Sequence, residues 1–225
     1  METDRSGWLG SPRTAGTLLL LVPVATGAAL SMFPNYDARP EYFAGWYPNI
    51  VNAGNSYAAS LTLLLAVAVL LVLLALALRR APAPGHSGAM LVVVGGVTVS
   101  AIGFGVAALL GIPVWIWAGD VTDGALTMAE GAARSETWAS TSQTSILLFG
   151  LGGLAVALTV LGVLAYRLGW TPPIVFWIAV SVVVGIVVLG VVLTLFWVML
   201  GTPPIIWTLM IGVSLLTRST YPTDA

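Results

Sequence analysis

Long apolar runs alternate with short polar connections along the chain, and this pattern predicts a membrane-spanning bundle. Four runs, Ala15–Phe33, Ser56–Leu78, Ala89–Ile112 and Ser145–Tyr166, have roughly the length that a helix needs to cross a hydrocarbon core about 30 Å thick. A fifth stretch, 172–217, carries no charged residue and is about twice as long as one crossing requires, so it predicts two helices. The predicted fold is an all-α, polytopic transmembrane bundle of six helices.

The tetrapeptide Thr-Pro-Pro-Ile occurs twice, beginning at Thr171 and again at Thr202. Each copy predicts a helix start, because threonine can cap a first turn and proline is tolerated just after the cap. The second copy leaves only 15 residues from Pro203 to Thr217 for the last helix. A helix this short predicts an intramembrane break at Thr202, Pro203 and Pro204, where free backbone groups can bind a substrate.

These boundaries predict a cytoplasmic N-terminal tail at 1–14, a single six-helix transmembrane domain at 15–217 and a cytoplasmic tail at 218–225. A cleaved signal peptide is the alternative for the first span, since small residues at 26–29 suit cleavage, but the apolar run is longer than a usual signal core. The polar stretches 34–55 and 119–144 are expected to be outer connections. Glu130 and Arg134, four residues apart, predict a short surface helix in the second of them.

The arginines give the predicted orientation. With the N-terminus in the cytoplasm, six of the eight basic residues lie on the cytoplasmic side, which fits the positive-inside rule. The prediction is a multi-pass protein of the cell (inner, cytoplasmic) membrane with both termini in the cytoplasm. The inside set is Arg5, Arg13, Arg79, Arg80, Arg167 and Arg218, and the outside set is Arg39 and Arg134.

Composition excludes several kinds of chemistry. All eight basic residues are arginines and there is no cysteine, so Schiff-base lysines, thiolate nucleophiles and Cys-ligated metals are ruled out. A net charge of −1 gives no basic footprint for a nucleic-acid partner. The absence of lysine together with abundant Ala, Val, Gly and Leu suggests a prokaryotic genome of high GC content.

Candidate chemistry is sparse. The six predicted spans contain no Asp, Glu, Lys, Arg or His, which disfavours proton-coupled transport, and we expect neither an enzyme nor a bound cofactor. Carboxylates of the second outer connection are weak candidates for a metal site, although solvated loop carboxylates need no ligand. A membrane enzyme acting on lipids would have to use the same groups. They are Asp120, Asp123, Glu130 and Glu136.

Small residues four apart predict the helix-packing seams, because they let helix backbones approach closely. The tryptophans fall near the predicted span ends, Trp170 at the inner end and Trp207 at the outer, and so predict aromatic belts at the two interfaces. The seam pairs are Ala101 with Gly105, Gly153 with Ala157, and Ser181 with Gly185.

The C-terminal third resembles a poorly characterised bacterial family of six-helix integral membrane proteins, catalogued as a domain of unknown function. The matching segments are 149–153, the Arg167 that ends that helix, the restart at 172–173, and 203–216. The resemblance implies six spans and no established activity. Members carry an acidic residue in the last helix, where this chain has Trp207 and Thr208.

The sequence therefore favours an integral membrane protein that is a non-catalytic structural or regulatory component. It would act through the lipid bilayer and through a membrane protein partner or a second copy of itself. The alternative is a small transporter or a protein that binds lipophilic molecules, using the helix break at 202–204.

Overall fold

The structure, a computed structural model, describes residues 8–34, 40–192 and 196–221, and the regular elements in these ranges are all helices. Four helical stretches, at 12–32, 42–80, 87–122 and 128–167, are long and apolar enough to cross a membrane. The elements are a 3-10 turn (Trp8–Gly10), α1 (Pro12–Met32), α2 (Pro40–Arg80), α3 (Ser87–Thr122), α4 (Met128–Thr144), a π-helical segment (Ser145–Leu151), α5 (Gly152–Arg167), α6 (Pro173–Val192) and α7 (Phe196–Leu216).

Two helices begin at side-chain caps. At α1 the N–H of Thr14 donates to Ser11 Oγ at 3.1 Å. At α4 the N–H of Glu130 donates to Thr127 Oγ1 at 3.3 Å, and the N–H of Thr127 donates to a carboxylate oxygen of Glu130 at 2.9 Å. The predicted helix at Glu130 and Arg134 is confirmed as α4, but it is not a separate short helix, because it continues through the π-helical segment into α5; the predicted outer connection at 119–144 is therefore wrong over most of its length. The first turn of α4 is held by this capping box, with the Glu130 carboxylate committed to Thr127.

The predicted outer connection at 34–55 is wrong over most of its length, because α2 already begins at Pro40. Phe43, Tyr47 and Ile50 are fully buried, and their spacing of four and three places them on one helical face. The rings of Phe43 and Tyr47 therefore belong to the core, which favours a helix here, whereas Tyr42 and Trp46 are exposed. Gly54, at φ 45° and ψ −114°, interrupts the helical backbone at a conformation that favours glycine.

Outward faces of the long helices are apolar. On α3, Leu91 is 73% exposed, Ile102 is 60% exposed and Leu109 is 59% exposed. A soluble monomer does not expose a continuous apolar face of this length, whereas lipid-facing helix surfaces are apolar by rule. The exposed stripe therefore supports a multi-pass membrane protein.

The chain divides into two compact units, and α1, α2 and α3 each contribute residues to both. Unit 1 comprises Met1–Pro23, Val69–Ser100 and Leu151–Ala225, and unit 2 comprises Val24–Ala68 and Ala101–Gly150.

In unit 1, glycines allow three close helix contacts. A Cβ on Gly16 would lie 2.7 Å from the carbonyl oxygen of Gly212, so α1 and α7 touch through their backbones. A Cβ on Gly96 of α3 would lie 2.9 Å from the Cβ of Ala157 on α5. The indole of Trp207 on α7 covers Gly162 of α5. Such contacts are typical of membrane helices, where backbones approach at small residues.

In unit 2, α3 approaches the π-helical segment closely. A Cβ on Gly103 would overlap the backbone nitrogen of Gly150 and the carbonyl carbon of Phe149. Hydrogen bonds between helices add to this packing, since Ser142 Oγ of α4 donates to the Ala107 carbonyl of α3 at 2.8 Å. Similarly, a serine of α2 (Ser60) donates through its Oγ to a carbonyl of α1 at 2.7 Å.

The C-terminal helices differ from the prediction. α6 begins at Pro173, as expected, but the buried Thr171 Oγ1 makes no hydrogen bond with a described residue and so does not cap it. α7 begins at Phe196, so Thr202-Pro203-Pro204 lies inside the helix and the predicted start at this position is wrong. Neighbouring helices can satisfy the backbone groups that proline frees within a membrane helix.

Candidate functional site

The predicted carboxylates are spread over separate places in unit 2. Asp120 and Asp123, at the end of α3, line an open cavity of about 430 Å³ together with the indole of Trp115. The opposite wall comes from α2 at its interruption, with Gly54 and Asn55. The lining of this cavity thus combines two carboxylates, an amide and an aromatic ring.

The other two carboxylates lie elsewhere. Glu130 is committed to the α4 cap through Thr127, whose Oγ1 also donates to it at 2.8 Å. Glu136 lines a second cavity of about 430 Å³ with Phe43 and Met128. The residues that the structure describes contain no group of three or more His, Cys, Asp or Glu placed to hold a metal ion. The geometry thus gives no support to the weak metal-site candidates as one site.

The predicted small-residue pairs differ in whether they lie at helix contacts. Gly153 and Ala157 of α5 both lie against Gly96, as a seam requires. Gly105 contacts Ala68 of α2, with the Cβ of Ala68 3.7 Å from the position a Cβ on Gly105 would take. By contrast, Gly185 has open space where a Cβ would stand, within the described part of the structure.

The remaining members of those pairs follow the same division. Ala101, the partner of Gly105, is buried. Ser181, the partner of Gly185, is exposed and its Oγ donates to the Trp177 carbonyl of its own helix. Both members of the α6 pair are therefore exposed in the described structure.

Two tryptophans that were predicted to form interface belts are core residues of unit 1. Trp170 and Trp207 are buried, and the Trp170 ring lies 5.0 Å from the ring of Tyr221. The Trp170 Nε1 and the Tyr221 hydroxyl form no hydrogen bond with described residues. Burial raises the pKa of Tyr221 to about 12, so this phenol stays neutral at physiological pH.

A further cavity, which we had not predicted, lies in unit 1 where α2 ends and α3 begins. It is an open cleft of about 550 Å³. Its polar lining comes from Arg79 and Ser87, and its apolar lining from the alanines of the turn and from Met90, Leu91 and Val94 of α3. In the sequence, the Arg79-Arg80 doublet marks this place, but by itself it predicts only the orientation of the chain in the membrane.

The cleft lies in a unit whose described charged residues are all basic. The described residues of the unit include Arg13, Arg79, Arg80, Arg167 and Arg218, and they include no Asp or Glu. In 101–150 of unit 2 the balance is reversed, with four carboxylates and one arginine. The arginines of unit 1 therefore have no carboxylate partner among the described residues of their own unit.

The predicted intramembrane break at Thr202, Pro203 and Pro204 concerns side chains outside the described part of the chain, so its role stays a prediction.

Comparison with known proteins does not assign the chain to a family. No protein-family model matches the chain, and no curated protein or solved structure is significantly similar to it.

Proposed function

We propose that this chain is a six-span protein of the cell membrane that acts without catalysis, as a regulatory or structural component working through membrane lipids and partner proteins. The single observation that carries the proposal is the charge separation between the units. Basic groups that have no carboxylate partner among the described residues of their unit are suited to anionic lipid headgroups, each being worth about 1 kcal/mol near an anionic surface.

The six-span count depends on α6 and α7 in addition to the four long stretches. α6 has 20 residues and α7 has 21, which at 1.5 Å per residue is about 30 Å each and equals the hydrocarbon thickness. Six crossings return the C-terminus to the side of the N-terminus. The arginine count assigns that side to the cytoplasm.

The topology is testable with single cysteines, since the native chain has none. In intact cells, an impermeant maleimide is expected to label Ala125→Cys, and to label Pro84→Cys and Ser219→Cys only after the cells are opened. Labelling of Pro84→Cys in intact cells would overturn the orientation. Labelling of Ser219→Cys alone in intact cells would contradict the paired crossing of α6 and α7.

The lipid and partner role is tested by purification of the full chain in a mild detergent. We expect anionic phospholipid to co-purify above its share of the membrane, together with a second membrane protein or a second copy after cross-linking. Recovery of a lipid-free monomer would contradict the proposal.

The transporter alternative rests on the break at 202–204, and no contact of the described residues favours it. A catalytic role would draw on the carboxylates of unit 2. Replacing Asp120 and Asp123 by Asn is expected to leave the cellular phenotype unchanged, and a loss of phenotype with normal expression would speak for catalysis or cation binding.

A further inference from the structure

The cleft between α2 and α3 has two chemically different ends. Arg79, in the last turn of α2, and Ser87, at the start of α3, supply hydrogen-bond donors. Met90, Leu91 and Val94 follow Ser87 at intervals of three, four and seven residues, so these four side chains share one face of α3. The cleft therefore runs from a charged end to an apolar wall.

The charged end has no counterion among the described residues of its unit. Arg79 is exposed, the first turn of α3 contains no acidic residue, and the described residues of unit 1 include no carboxylate. A guanidinium group presents its donors in a planar fork that matches two oxygens of a phosphate. The chemical complement of this end is a phosphate group.

The apolar end continues onto the outer surface of α3. Leu91, 73% exposed, both lines the cleft and belongs to the exposed apolar stripe of the helix. A soluble anion would gain nothing from this wall, whereas an acyl chain would cover it. A volume of about 550 Å³ suits a headgroup with the first part of a chain, the remainder lying along the stripe.

We propose that this cleft is a binding site for an anionic phospholipid, with its phosphate on Arg79 and Ser87 and an acyl chain along Met90, Leu91 and Val94. This inference rests on the proposed function, which it narrows to one ligand class at one place. The lipid would lie in the leaflet that contacts the end of α2, which is the cytoplasmic leaflet in the predicted topology.

The test uses the purified full chain in mixed micelles and measures bound phosphatidylglycerol by native mass spectrometry, with phosphatidylcholine as the zwitterionic reference. Arg79→Gln removes the guanidinium, and Arg80→Gln is its matched control, since Arg80 is equally exposed on the same turn but does not line the cleft. Val94→Trp fills the apolar end, and Val92→Trp is its control on the exposed face of α3.

The expected result is a loss of affinity for phosphatidylglycerol of about tenfold in Arg79→Gln, the usual effect of one charge-assisted hydrogen bond. Val94→Trp is expected to show a similar loss with both arginines intact. Val92→Trp should stay within about twofold of the native chain, and Arg80→Gln should lose clearly less than Arg79→Gln, at most the roughly fivefold of diffuse attraction. If Arg79→Gln proves poorly folded, Val94→Trp against Val92→Trp still decides the question.

Three outcomes would overturn the inference. Equal losses in Arg79→Gln and Arg80→Gln would mean diffuse attraction without a site, and the proposed function would survive. Release of the lipid by millimolar inorganic phosphate would assign the site to a free anion. Equal binding of phosphatidylglycerol and phosphatidylcholine by the native chain would contradict both the anionic-lipid site in the cleft and the proposed function through anionic lipids.

Discussion

Replacing Gly103 by alanine tests a helix contact in which backbone lies against backbone. The new Cβ would stand 2.7 Å from the Phe149 carbonyl carbon and 2.7 Å from the Phe149 Cβ, and nearer still to the nitrogen of Gly150. Carbon atoms pack at about 3.5–4.0 Å, so α3 and the π-helical segment would have to separate by about 1 Å. Because two of these neighbours are backbone atoms, no rotamer change relieves the overlap, and we expect a cost of about 1–3 kcal/mol.

Gly95→Ala is the matched control. It lies in the same helix, and a Cβ there meets no heavy atom of the described residues within 4 Å. Both substitutions gain the helix propensity of alanine, about 1 kcal/mol, so their difference isolates the contact. For a chain of this size, 1 kcal/mol shifts Tm by about 2–4 °C, so Gly103→Ala should melt about 2–12 °C below Gly95→Ala.

The measurement is the fraction of monodisperse protein that survives heating in a mild detergent, followed by size-exclusion chromatography. A Gly103→Ala protein that melts at or above the temperature of Gly95→Ala would refute the reasoning. It would mean that the two backbones do not approach each other as the structure shows.

Three further predictions concern single side chains. Ser142→Ala removes a buried hydrogen bond between helices and should cost about 0.6–1.7 kcal/mol in thermal stability, whereas Ser140→Ala, whose hydroxyl bonds within its own helix, should be close to neutral. Thr127→Ala removes the α4 cap and should cost about 0.5–2 kcal/mol, seen as faster hydrogen exchange in the first turn of α4, while Thr137→Ala in the middle of that helix should leave this exchange unchanged. Tyr221→Phe should abolish an alkaline loss of stability, because burial raises the pKa of this phenol from 10 to about 12 in the folded state. Its contribution to stability is complete below about pH 10 and is lost as the pH rises through 12. An unchanged alkaline melting profile in the variant would contradict this.

Hydropathy predicted the helices of the first four spans because length and apolarity are sufficient to specify a membrane helix. It could not predict which face of α2 is buried, since leucine, alanine and valine occupy every side of it. Leu64, Val67, Leu71, Leu74 and Leu78 are fully buried at helical spacing, while intervening Val69 and Val72 are exposed. In a uniformly apolar run, only the neighbouring helices distinguish these positions.

The errors have a common physical origin. Polar and aromatic letters at 40–55 were read as a loop at the headgroup level, although Phe43, Tyr47 and Ile50 recur at helical spacing and are core residues. Likewise, the proline pair at 203–204 was read as a helix start, a rule for soluble helices that is relaxed where neighbouring helices satisfy the freed backbone groups. Trp170 and Trp207 were assigned to the interface by type, but they fill unit 1.

The candidate cleft was only partly visible in the sequence. The Arg79-Arg80 doublet was clear, but the two residues are not equivalent, because only Arg79 lines the cleft. The positions of Ser87, Met90 and Val94 relative to it depend on the turn that joins α2 to α3, which positive-φ Gly85 helps to make. Sequence spacing alone does not define that geometry.

The π-helical segment determines which residues on either side of it face α3. Ser142 and Gly150 both contact α3, and they are eight residues apart. Two α turns cover about seven residues, whereas a π turn closes its hydrogen bond one residue later, so one α turn followed by one π turn returns to the same side after about eight. In a regular α-helix, residues eight apart would differ by about 80° around the axis, so the π turn is what keeps both contacts on α3; deleting a single residue between 145 and 151 would restore a regular helix with the two contacts seven apart and on the same side. Homologues that keep both contacts should therefore have either this π-helical segment or a regular α-helix that is one residue shorter.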